Sequence, residues 1–379
     1  MEQKRIRCTI LRGGTSKGIF MHENDLPKDK YEQDATILRI FGSPDVRQID
    51  GLAGADPLTS KLAIIGPSSN PEADVDYTFG QVSINQALVD YSGNCGNISA
   101  GVGPFAIDEG LVKAVEPVTV VRIFNTNTQK MLIAEVPVEN GKAKVDGDYA
   151  IDGVPGTGAK IMLDFAGTAG AATGKMLPTG NVKDLLNVGG IGTIEASIVD
   201  VANPMVFVRA ADLGLTGIET PKMIDGNKKL LDILESIRAK AAVMIGMAKT
   251  EAEATQKSPA FPMVAFVSKP QDYQDFSTGK DILKSDVDVV SRLMFMQVTH
   301  KTYAGTGTTC TGAAAKIPGT IVNEMLAGDS PVVRIGHPAG VIEIEVKVGN
   351  KDGQVVLERA AFGRTARRIM DGYVYIPGK

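Results

Sequence analysis

The chain has 379 residues, which is too many for one ordinary hydrophobic core and favours two domains of comparable size. Hydrophobic residues make up 43% of it and charged residues 22%, values typical of a globular protein rather than a disordered or membrane protein. A net charge of −4, with no basic stripe interleaved with aromatic residues, argues against a nucleic-acid partner, and no apolar run approaches bilayer length.

The N-terminal stretch MEQKRIRCTI passes directly into a strand-like pattern and lacks the apolar core and cleavage site of a signal peptide, so we expect a cytoplasmic protein. The three cysteines, Cys8, Cys95 and Cys310, are too few and too widely spaced for a disulfide framework or a Cys-rich zinc site. No histidines are paired at metal spacing, and no dinucleotide or phosphate loop occurs. These patterns predict no metal and no cofactor.

Short strand-like runs punctuated by Gly, Pro, Asn or Asp dominate the first half of the chain. They are IRCTIL (6–11), GIFMH (18–22), KLAIIG (61–66), DYTFGQVSI (76–84), VTVVRIFNT (118–126), KMLIAEVPV (130–138) and KAKVDGDYAI (142–151). Helical patterns are scarcer there and are predicted at 30–41 and after Cys95.

Two features of the first half could take part in a site for an anionic substrate. The turn RGGTSKG (12–18) has hydroxyls and glycine N–H groups that can bind a carboxylate, with Arg12 and Lys17 to offset its charge. Lys61 heads a wholly apolar strand. A lysine entering a buried strand would be desolvated, which favours the neutral amine that a general base needs. Residue type alone nevertheless favours a solvated lysine.

Cys95 lies in VDYSGNCGNISAGVGPFAIDEG (89–110), just before a small, mostly apolar run that predicts a buried helix. Free backbone N–H groups and the helix dipole at such a start favour a thiolate and attract carboxylates. Asn94 and Asn97 would hold this loop through side-chain hydrogen bonds. Cys95 could instead be a small buried hydrophobe, but its Gly/Asn setting favours a functional thiol.

The second half has similar strand-like runs and one clear amphipathic helix, predicted over 227–245. The strands are TIEASIVDV (193–201), PMVFVRA (204–210), FPMVAFVS (261–268), PVVRIGH (331–337), VIEIEVKVG (341–349) and GQVVLERAAFG (353–363). A second helix is predicted over 286–300. The arginines of RTARRIMDGYVYIP (364–377) are interpreted as a solvated helix face without a catalytic role.

The two halves resemble each other. Residues 9–26 match 197–213, with Phe20 against Phe207, and YSGNCGNISAGVG matches YAGTGTTCTGAAAK later in the chain. The Gly/Ala/Thr-rich stretch 162–192 divides the matches. We therefore predict pseudo-equivalent domains at 1–185 and 186–379, each bringing a helix N-terminus to a shared cleft.

Cys310 takes the position of Cys95 in this comparison. A second thiol facing the first across a cleft would allow a proton to be removed on one face and returned on the other. The surrounding Thr and Ala residues suit a packed small residue equally well. Nearby, THKTYAGTGTT (299–309) offers His300, Lys301 and threonine hydroxyls, although a lone histidine is more often structural.

These motifs carry a family resemblance. CGN leading into a small-residue helix, echoed by a second cysteine with TGA, resembles the diaminopimelate-epimerase-like fold. LRGGTSKGIF, TSKLAIIG, GNCGNISAGVGPFAIDEG, VDVANPMVFV, HKTYAGTG and RTARRIMDGYV together resemble the 2-methylaconitate cis–trans isomerase and 3-methylitaconate Δ-isomerase (PrpF-like) family over essentially the whole chain. The resemblance implies an α+β fold of two pseudo-equivalent domains, each a β-structure wrapped around a central helix, with the active site in the cleft between them.

The resemblance implies that Lys61 and Cys95 are the acid/base residues. It also implies substrate contacts at the N-terminal turn, at the loop around Cys95 and at the corresponding part of the second half. These are Thr15, Ser16, Lys17, Asn94, Gly96, Asn97, Ile98, Lys301, Thr306, Cys310, Thr311 and Gly312. The spacing around Cys310 departs from the epimerase pattern by one residue, which argues against a two-cysteine mechanism.

The implied activity is a cofactor-independent 1,3-allylic proton shift in an unsaturated dicarboxylate, with 3-methylitaconate to 2,3-dimethylmaleate preferred because GSPDVRQIDGLAGADPLTSK (42–61) is closer to that branch. The alternatives are a 2-methylaconitate cis–trans isomerase, a two-cysteine amino-acid epimerase and a non-catalytic carboxylate-binding protein. The expected partner is a small di- or tricarboxylate, and assembly as a homo-oligomer is left open.

Overall fold

The structure is a computed structural model that describes residues 2–351 and 354–378. The chain forms two compact units, Met1–Leu163 with Gly363–Lys379, and Asp164–Phe362. These bounds differ from the expected 1–185 and 186–379, because the end of the chain returns to the first unit. The return has a clear physical basis: Ala366–Pro377 pairs antiparallel with Gln3–Gly13 along nearly its whole length.

Strands predominate among the elements. In chain order, the strands and helices as far as Asp164 are β1 (Gln3–Gly13), β2 (Ser16–His22), α1 (Lys30–Phe41), β3 (Lys61–Pro67), β4 (Val75–Val82), β5 (Val89–Asp90), α2 (Gly96–Asp108), β6 (Val118–Asn125), β7 (Lys130–Glu139), β8 (Lys142–Ala143), β9 (Tyr149–Ala150), β10 (Thr157–Gly158) and β11 (Ile161–Asp164).

The remaining elements are β12 (Asp184–Val188), β13 (Gly192–Val201), β14 (Asn203–Arg209), α3 (Pro221–Asp225), α4 (Lys228–Met244), α5 (Glu251–Lys257), β15 (Met263–Ser268), β16 (Tyr273–Gln274), β17 (Asp281–Ile282), β18 (Val289–Phe295), β19 (Val298–Thr299), α6 (Gly305–Lys316), α7 (Ile321–Met325), β20 (Val332–His337), β21 (Gly340–Lys351), β22 (Gln354–Arg364) and β23 (Ala366–Pro377). Short 3-10 helices cover Glu23–Asp25, Ala166–Thr168, Ala210–Leu213 and Lys284–Asp286.

The two units repeat one pattern of strand pairing. In the first, β1 pairs antiparallel with β2, β2 parallel with β3, β3 antiparallel with β4, β4 parallel with β6, and β6 antiparallel with β7. In the second, β13, β14, β15, β18, β20 and β21 follow in the same alternation of antiparallel and parallel pairs. Each unit therefore reuses the same supersecondary arrangement around one helix.

The register makes this correspondence specific. Phe20 lies opposite Thr9 and beside Ala63, and Phe207 lies opposite Ser197 and beside Ala265. The match between Phe20 and Phe207 read from the sequence is thus reproduced by the strand pairing.

The helices α2 and α6 are buried on nearly all sides, which their small residues make possible. A Cβ on Gly101 of α2 would lie 2.6 Å from Phe20 Cζ. A Cβ on Gly312 of α6 would lie 2.7 Å from Ile344 Cγ2. Side chains at these positions would force the strands away from the helix. In the part of the chain that the structure describes, no helix has the length and apolar character needed to cross a membrane.

Two helix predictions are wrong. Residues 286–300 contain strand β18, in which residues 289–294 are all buried and which pairs with β15 and β20 along its edges. A strand buried on both faces loses the polar alternation that would distinguish it from a helix. Residues 366–377 form strand β23 rather than a helix face, because their backbone pairs with β1. The strand predicted at 353–363 begins at Gly353, which lies outside the described residues.

Candidate active site

The helix α2 begins immediately after Cys95. Cys95 is the N-cap residue, with an extended backbone (φ −115°, ψ 103°), and no side chain caps the helix there. Cys95 is partly exposed, whereas Cys8 and Cys310 are buried. The first amide N–H groups of a helix have no partners within the helix and carry its positive end. Cys95 therefore stands where an anion is stabilised.

Asn94 fixes the backbone that presents this thiol. Its Oδ1 accepts the backbone N–H of Cys95 at 2.7 Å and the Ser99 hydroxyl at 3.3 Å. The carbonyl oxygen of Cys95 is a second acceptor for the one Ser99 hydroxyl proton, at 3.0 Å. Asn94 thus supports the loop, as the Gly/Asn pattern predicts, and Gly96 is the first residue of the helix.

The turn between β1 and β2 packs directly on the first turn of α2. A Cβ on Gly14, whose φ is +51°, would lie 2.2 Å from Asn97 Oδ1, so only glycine fits this approach. Asn97 Nδ2 donates to Thr15 Oγ1 at 3.1 Å, and Thr15 N–H donates to Asn97 Oδ1 at 3.4 Å. The predicted anion-binding turn and the predicted helix start therefore form one surface.

Ser16 carries an unusual hydroxyl in this turn. The side chain is 2% exposed, and among the residues that the structure describes its Oγ has no hydrogen-bond partner. A buried hydroxyl without a partner costs free energy unless a ligand or water completes it. Lys17 follows it and donates its backbone N–H to the carbonyl of Leu58 at 2.9 Å.

Lys61 opens β3 and is 3% exposed. Its Nζ donates to Gln81 Oε1 at 2.7 Å and lies 5.4 Å from the centroid of the Phe79 ring. The prediction of a solvated lysine, which residue type alone favours, is therefore wrong. A Cβ on the neighbouring Gly18 would lie 3.0 Å from Lys61 O and 2.9 Å from Ile98 Cδ1, so the start of β3 adjoins the first turn of α2.

Arg364 is a residue of this surface that sequence reasoning missed. It is buried, and its Nε donates to Asn97 Oδ1 at 3.0 Å while Nη1 donates to Gly363 O at 3.0 Å. Burial lowers the pKa of the Arg364 guanidinium to about 10, and the proximity of Tyr149 and Cys95 opposes that shift. Its sequence context, Gly-Arg-Thr-Ala-Arg-Arg, resembles a solvated basic run. Arg364 is the last residue of β22, and the backbone hydrogen bond from Gly14 N–H to Thr365 O at 2.9 Å brings it against the turn between β1 and β2.

The second unit has a related turn with different chemistry. Asn203, which holds the register position of Ser16, donates from Nδ2 to Thr306 Oγ1 in the first turn of α6 at 2.9 Å. The N-cap of α6 is Ala304, where α2 has Cys95. Met263 takes the register position of Lys61. The second unit therefore keeps the hairpin-to-helix contact but holds neither a thiol nor an amine at the equivalent points.

Cys310 does not occupy the position of Cys95. It lies inside α6, 0% exposed, and its thiol donates to Val199 O at 3.2 Å. Burial raises the pKa of this thiol far above its ordinary value. Thr311 Oγ1 bonds Tyr303 Oη at 2.9 Å, and Gly312 packs on β21. The sequence comparison pairs Cys310 with Cys95. In the structure the residue equivalent to Cys95 is Ala304, because both are the N-cap residues of their helices.

Of the remaining predicted contacts in the second unit, Lys301 is exposed and precedes α6. His300 is buried, and its Nδ1 lies 3.4 Å from Thr302 Oγ1. In the described parts of the chain, 2–351 and 354–378, no group of three or more His, Cys, Asp or Glu residues is arranged to hold a metal ion.

We expect Cys310→Ser to retain most of the turnover of the wild-type protein. The thiol is a buried packing group, and serine can make the same hydrogen bond to Val199 O at the cost of a smaller side chain in the core. Steady-state kinetics and a thermal melt of the folded variant test this. A folded Cys310→Ser protein without activity would mean that both thiols take part in proton transfer.

Comparison with known proteins gives consistent matches over the whole chain. A family model described as PrpF protein matches residues 3–377. The chain is 69% identical over 377 residues to 3-methylitaconate isomerase of Eubacterium barkeri, covering 99% of this chain and 98% of that protein. It is 41% identical over 390 residues to 2-methyl-aconitate isomerase of Cupriavidus necator, with 99% and 98% covered.

Solved structures extend the comparison to the fold. A crystal structure of methylitaconate-delta-isomerase superposes with a TM-score of 0.83 at 68% identity, covering 99% of this chain and 96% of that chain. A hydroxyproline epimerase from Agrobacterium vitis superposes with a TM-score of 0.59 at 12% identity, covering 98% and 92%, which bears on the fold alone. The predicted α+β fold of the diaminopimelate-epimerase-like type, with two pseudo-equivalent domains, is confirmed.

Proposed function

Because this chain belongs to the PrpF family, we propose that it is an isomerase that moves the double bond of 3-methylitaconate to give 2,3-dimethylmaleate. The observation that carries the proposal is the partly exposed Cys95 at the uncapped start of α2, with the buried Lys61 on the adjoining strand. The 69% identity to a 3-methylitaconate isomerase supports the choice of substrate.

The reaction is a proton shift between two carbons. A base removes the allylic proton from the carbon that carries the methyl group and one carboxylate, which leaves a dienolate whose charge spreads onto that carboxylate. An acid then delivers a proton to the terminal methylene carbon, which becomes a methyl group as the double bond moves inward. The shift is redox-neutral, so the substrate needs no electron acceptor. Two groups able to carry a proton are sufficient for this chemistry.

The first unit offers both proton carriers and an anion-binding surface. Lys61 and Cys95 serve as the acid/base pair in this proposal. The amide N–H groups at the start of α2 and the buried Ser16 hydroxyl bind a substrate carboxylate and stabilise the charge that develops on it. The positive end of the helix acts on the same charge.

The asymmetry between the units argues against a two-thiol epimerase. That mechanism needs opposed thiols, whereas the helix start of the second unit is Ala304 and Cys310 is enclosed in α6. A purely carboxylate-binding protein would have no use for both a buried lysine and a helix-terminal thiol in one unit. Both features instead suit a single set of proton carriers in the first unit.

We expect kcat/KM for 3-methylitaconate to exceed that for 2-methylaconitate by at least about tenfold, because the chain is 69% identical to a 3-methylitaconate isomerase and 41% to a 2-methyl-aconitate isomerase, and a site shaped for two carboxylates must bury a third at a cost. Proton NMR of each substrate with equal enzyme gives both rates directly. A preference for 2-methylaconitate would move the chain to the other branch of the family. If the protein converts neither substrate but exchanges the α-proton of an amino acid in D2O, it is an epimerase and not this isomerase.

A further inference from the structure

Arg364 is linked to both segments of the candidate anion-binding surface, the first turn of α2 and the turn between β1 and β2. Its Nε–H bonds Asn97 Oδ1, and Asn97 in turn reaches across to Thr15 in the turn between β1 and β2. Arg364 gives the Asn97 side chain a charged hydrogen-bond donor. A guanidinium donor gives a shorter, stronger hydrogen bond than a neutral one and fixes the geometry of its acceptor.

The bond from Arg364 sets the polarity of the Asn97 side chain. With Oδ1 accepting from Arg364 and from the Thr15 backbone N–H, the amide nitrogen faces Thr15 Oγ1 and must donate to it. Thr15 Oγ1 is thereby held as an acceptor towards Asn97. One buried arginine thus orients the amide, the turn beside it and the hydroxyl at its tip.

Arg364 also places a positive charge within the first unit: it contacts Asn97, two residues along the chain from Cys95, and the proximity of Cys95 opposes the lowering of the Arg364 pKa by burial. The guanidinium is desolvated, so a nearby anion is worth more to it than to a solvated arginine. The elements around Cys95 carry other titratable or charged groups, among them Lys61 on β3, Tyr77 on β4, Tyr149 on β9, and Arg12 and Lys17 on β1 and β2. Burial raises the pKa of Tyr77 well above its ordinary value, so it stays neutral.

A simple structural role is already filled by a different arginine. Arg12 Nη1 donates to the carbonyl oxygens of Gly14 and Thr365 at 2.8 and 3.0 Å and so ties the turn to the start of β23. Arg12 therefore already holds the turn to the start of β23. The contact of Arg364 with Asn97 is a separate one, which acts on the first turn of α2.

We propose that Arg364 is a positioning residue of the isomerase site: through Asn97 it orients the first turn of α2 against the turn at Thr15, and it places a buried positive charge against the helix start at which Cys95 is the N-cap residue. This inference rests on the proposed function for its catalytic consequence. Its effect on Cys95 is measurable without any substrate.

The test is the pH dependence of Cys95 alkylation by iodoacetamide in Arg364→Met, with the modified peptide identified by mass. Cys8 and Cys310 are 1% and 0% exposed, and Cys95→Ser provides the blank. We expect the alkylation midpoint to move up by about one pH unit, which lowers the rate near neutral pH about tenfold. kcat should fall with it.

Arg292→Met is the matched control. Arg292 is an equally buried guanidinium in the second unit, where Nε donates to Glu219 O at 2.7 Å and burial likewise lowers its pKa to about 10. Its loss should destabilise the fold and leave the alkylation midpoint of Cys95 unchanged. An unchanged midpoint in folded Arg364→Met, or an equal change in Arg292→Met, would overturn the proposal.

If Arg364→Met does not fold, Arg364→Lys is measured in its place. Lysine keeps the charge but cannot reproduce the Nε–H bond with its fixed direction. We expect a midpoint near that of the wild type together with a KM for 3-methylitaconate raised about tenfold, the cost of one hydrogen bond. An unchanged KM would contradict the positioning role. A midpoint shift in a protein that turns over no substrate would leave this inference standing and refute the isomerase instead.

Discussion

Cys95→Ser is expected to lower kcat for 3-methylitaconate by roughly 10²–10⁴-fold, the usual contribution of one general acid–base group. Serine at the N-cap keeps the shape and can cap the helix, but its hydroxyl exchanges protons at neutral pH far less readily than a thiol. The fold should be unaffected or slightly stabilised. Initial rates by proton NMR, with a thermal melt of the same sample, measure both.

The control for this variant is Cys310→Ser, which makes the same chemical change at a buried position. If the two serine variants lose activity equally while both remain folded, proton transfer by a single helix-terminal thiol is refuted. If Cys95→Ser keeps the rate of the wild type, Cys95 carries no proton.

Lys61→Ala is expected to lower kcat by a similar factor of roughly 10²–10⁴. The change removes a proton carrier and, at the same time, a positive charge that would stabilise the dienolate. It also leaves Gln81 Oε1 without its buried donor, which costs about 1–3 kcal/mol of stability. Rates and unfolding should be measured together so that the two effects are separated.

Chemical rescue distinguishes a lost amine from a disturbed strand. The cavity left by the lysine side chain should admit a small primary amine, and added ethylamine should restore part of the activity of Lys61→Ala in proportion to its concentration. Lys61→Met, which copies the residue at the equivalent position of the second unit, fills that cavity and should not be rescued. Full activity in either variant would exclude Lys61 from the chemistry.

Local pattern was sufficient for much of the fold. The helix at 30–41 matches its predicted range because its N-cap Asp29 and C-cap Gly42 are local signals. The repeat of Phe20 and Phe207 was visible because each hairpin places the same residue type at the same distance from its turn. The site elements around Cys95 and Lys61 follow from such short-range signals.

Other features depend on tertiary contacts that no local pattern carries. Strand β18 lies between two neighbours and shows no alternation, so it looked helical. Arg364 resembles a solvated arginine in the sequence, but the end of β22 lies against the turn between β1 and β2, where Arg364 is buried. Cys310 was matched to Cys95 by residue type, although the strands and helix starts align Cys95 with Ala304.

Proton NMR of 3-methylitaconate in D2O, with the wild-type protein, Cys95→Ser and Lys61→Ala at equal concentration, tests the central claim most directly. We expect the wild type to form 2,3-dimethylmaleate in which the methyl group derived from the methylene carbon carries one deuterium from solvent. Both variants should form it at least about 10²-fold more slowly. Conversion at the same rate by either variant, or no conversion by the wild type, would contradict an isomerase that moves protons through Cys95 and Lys61.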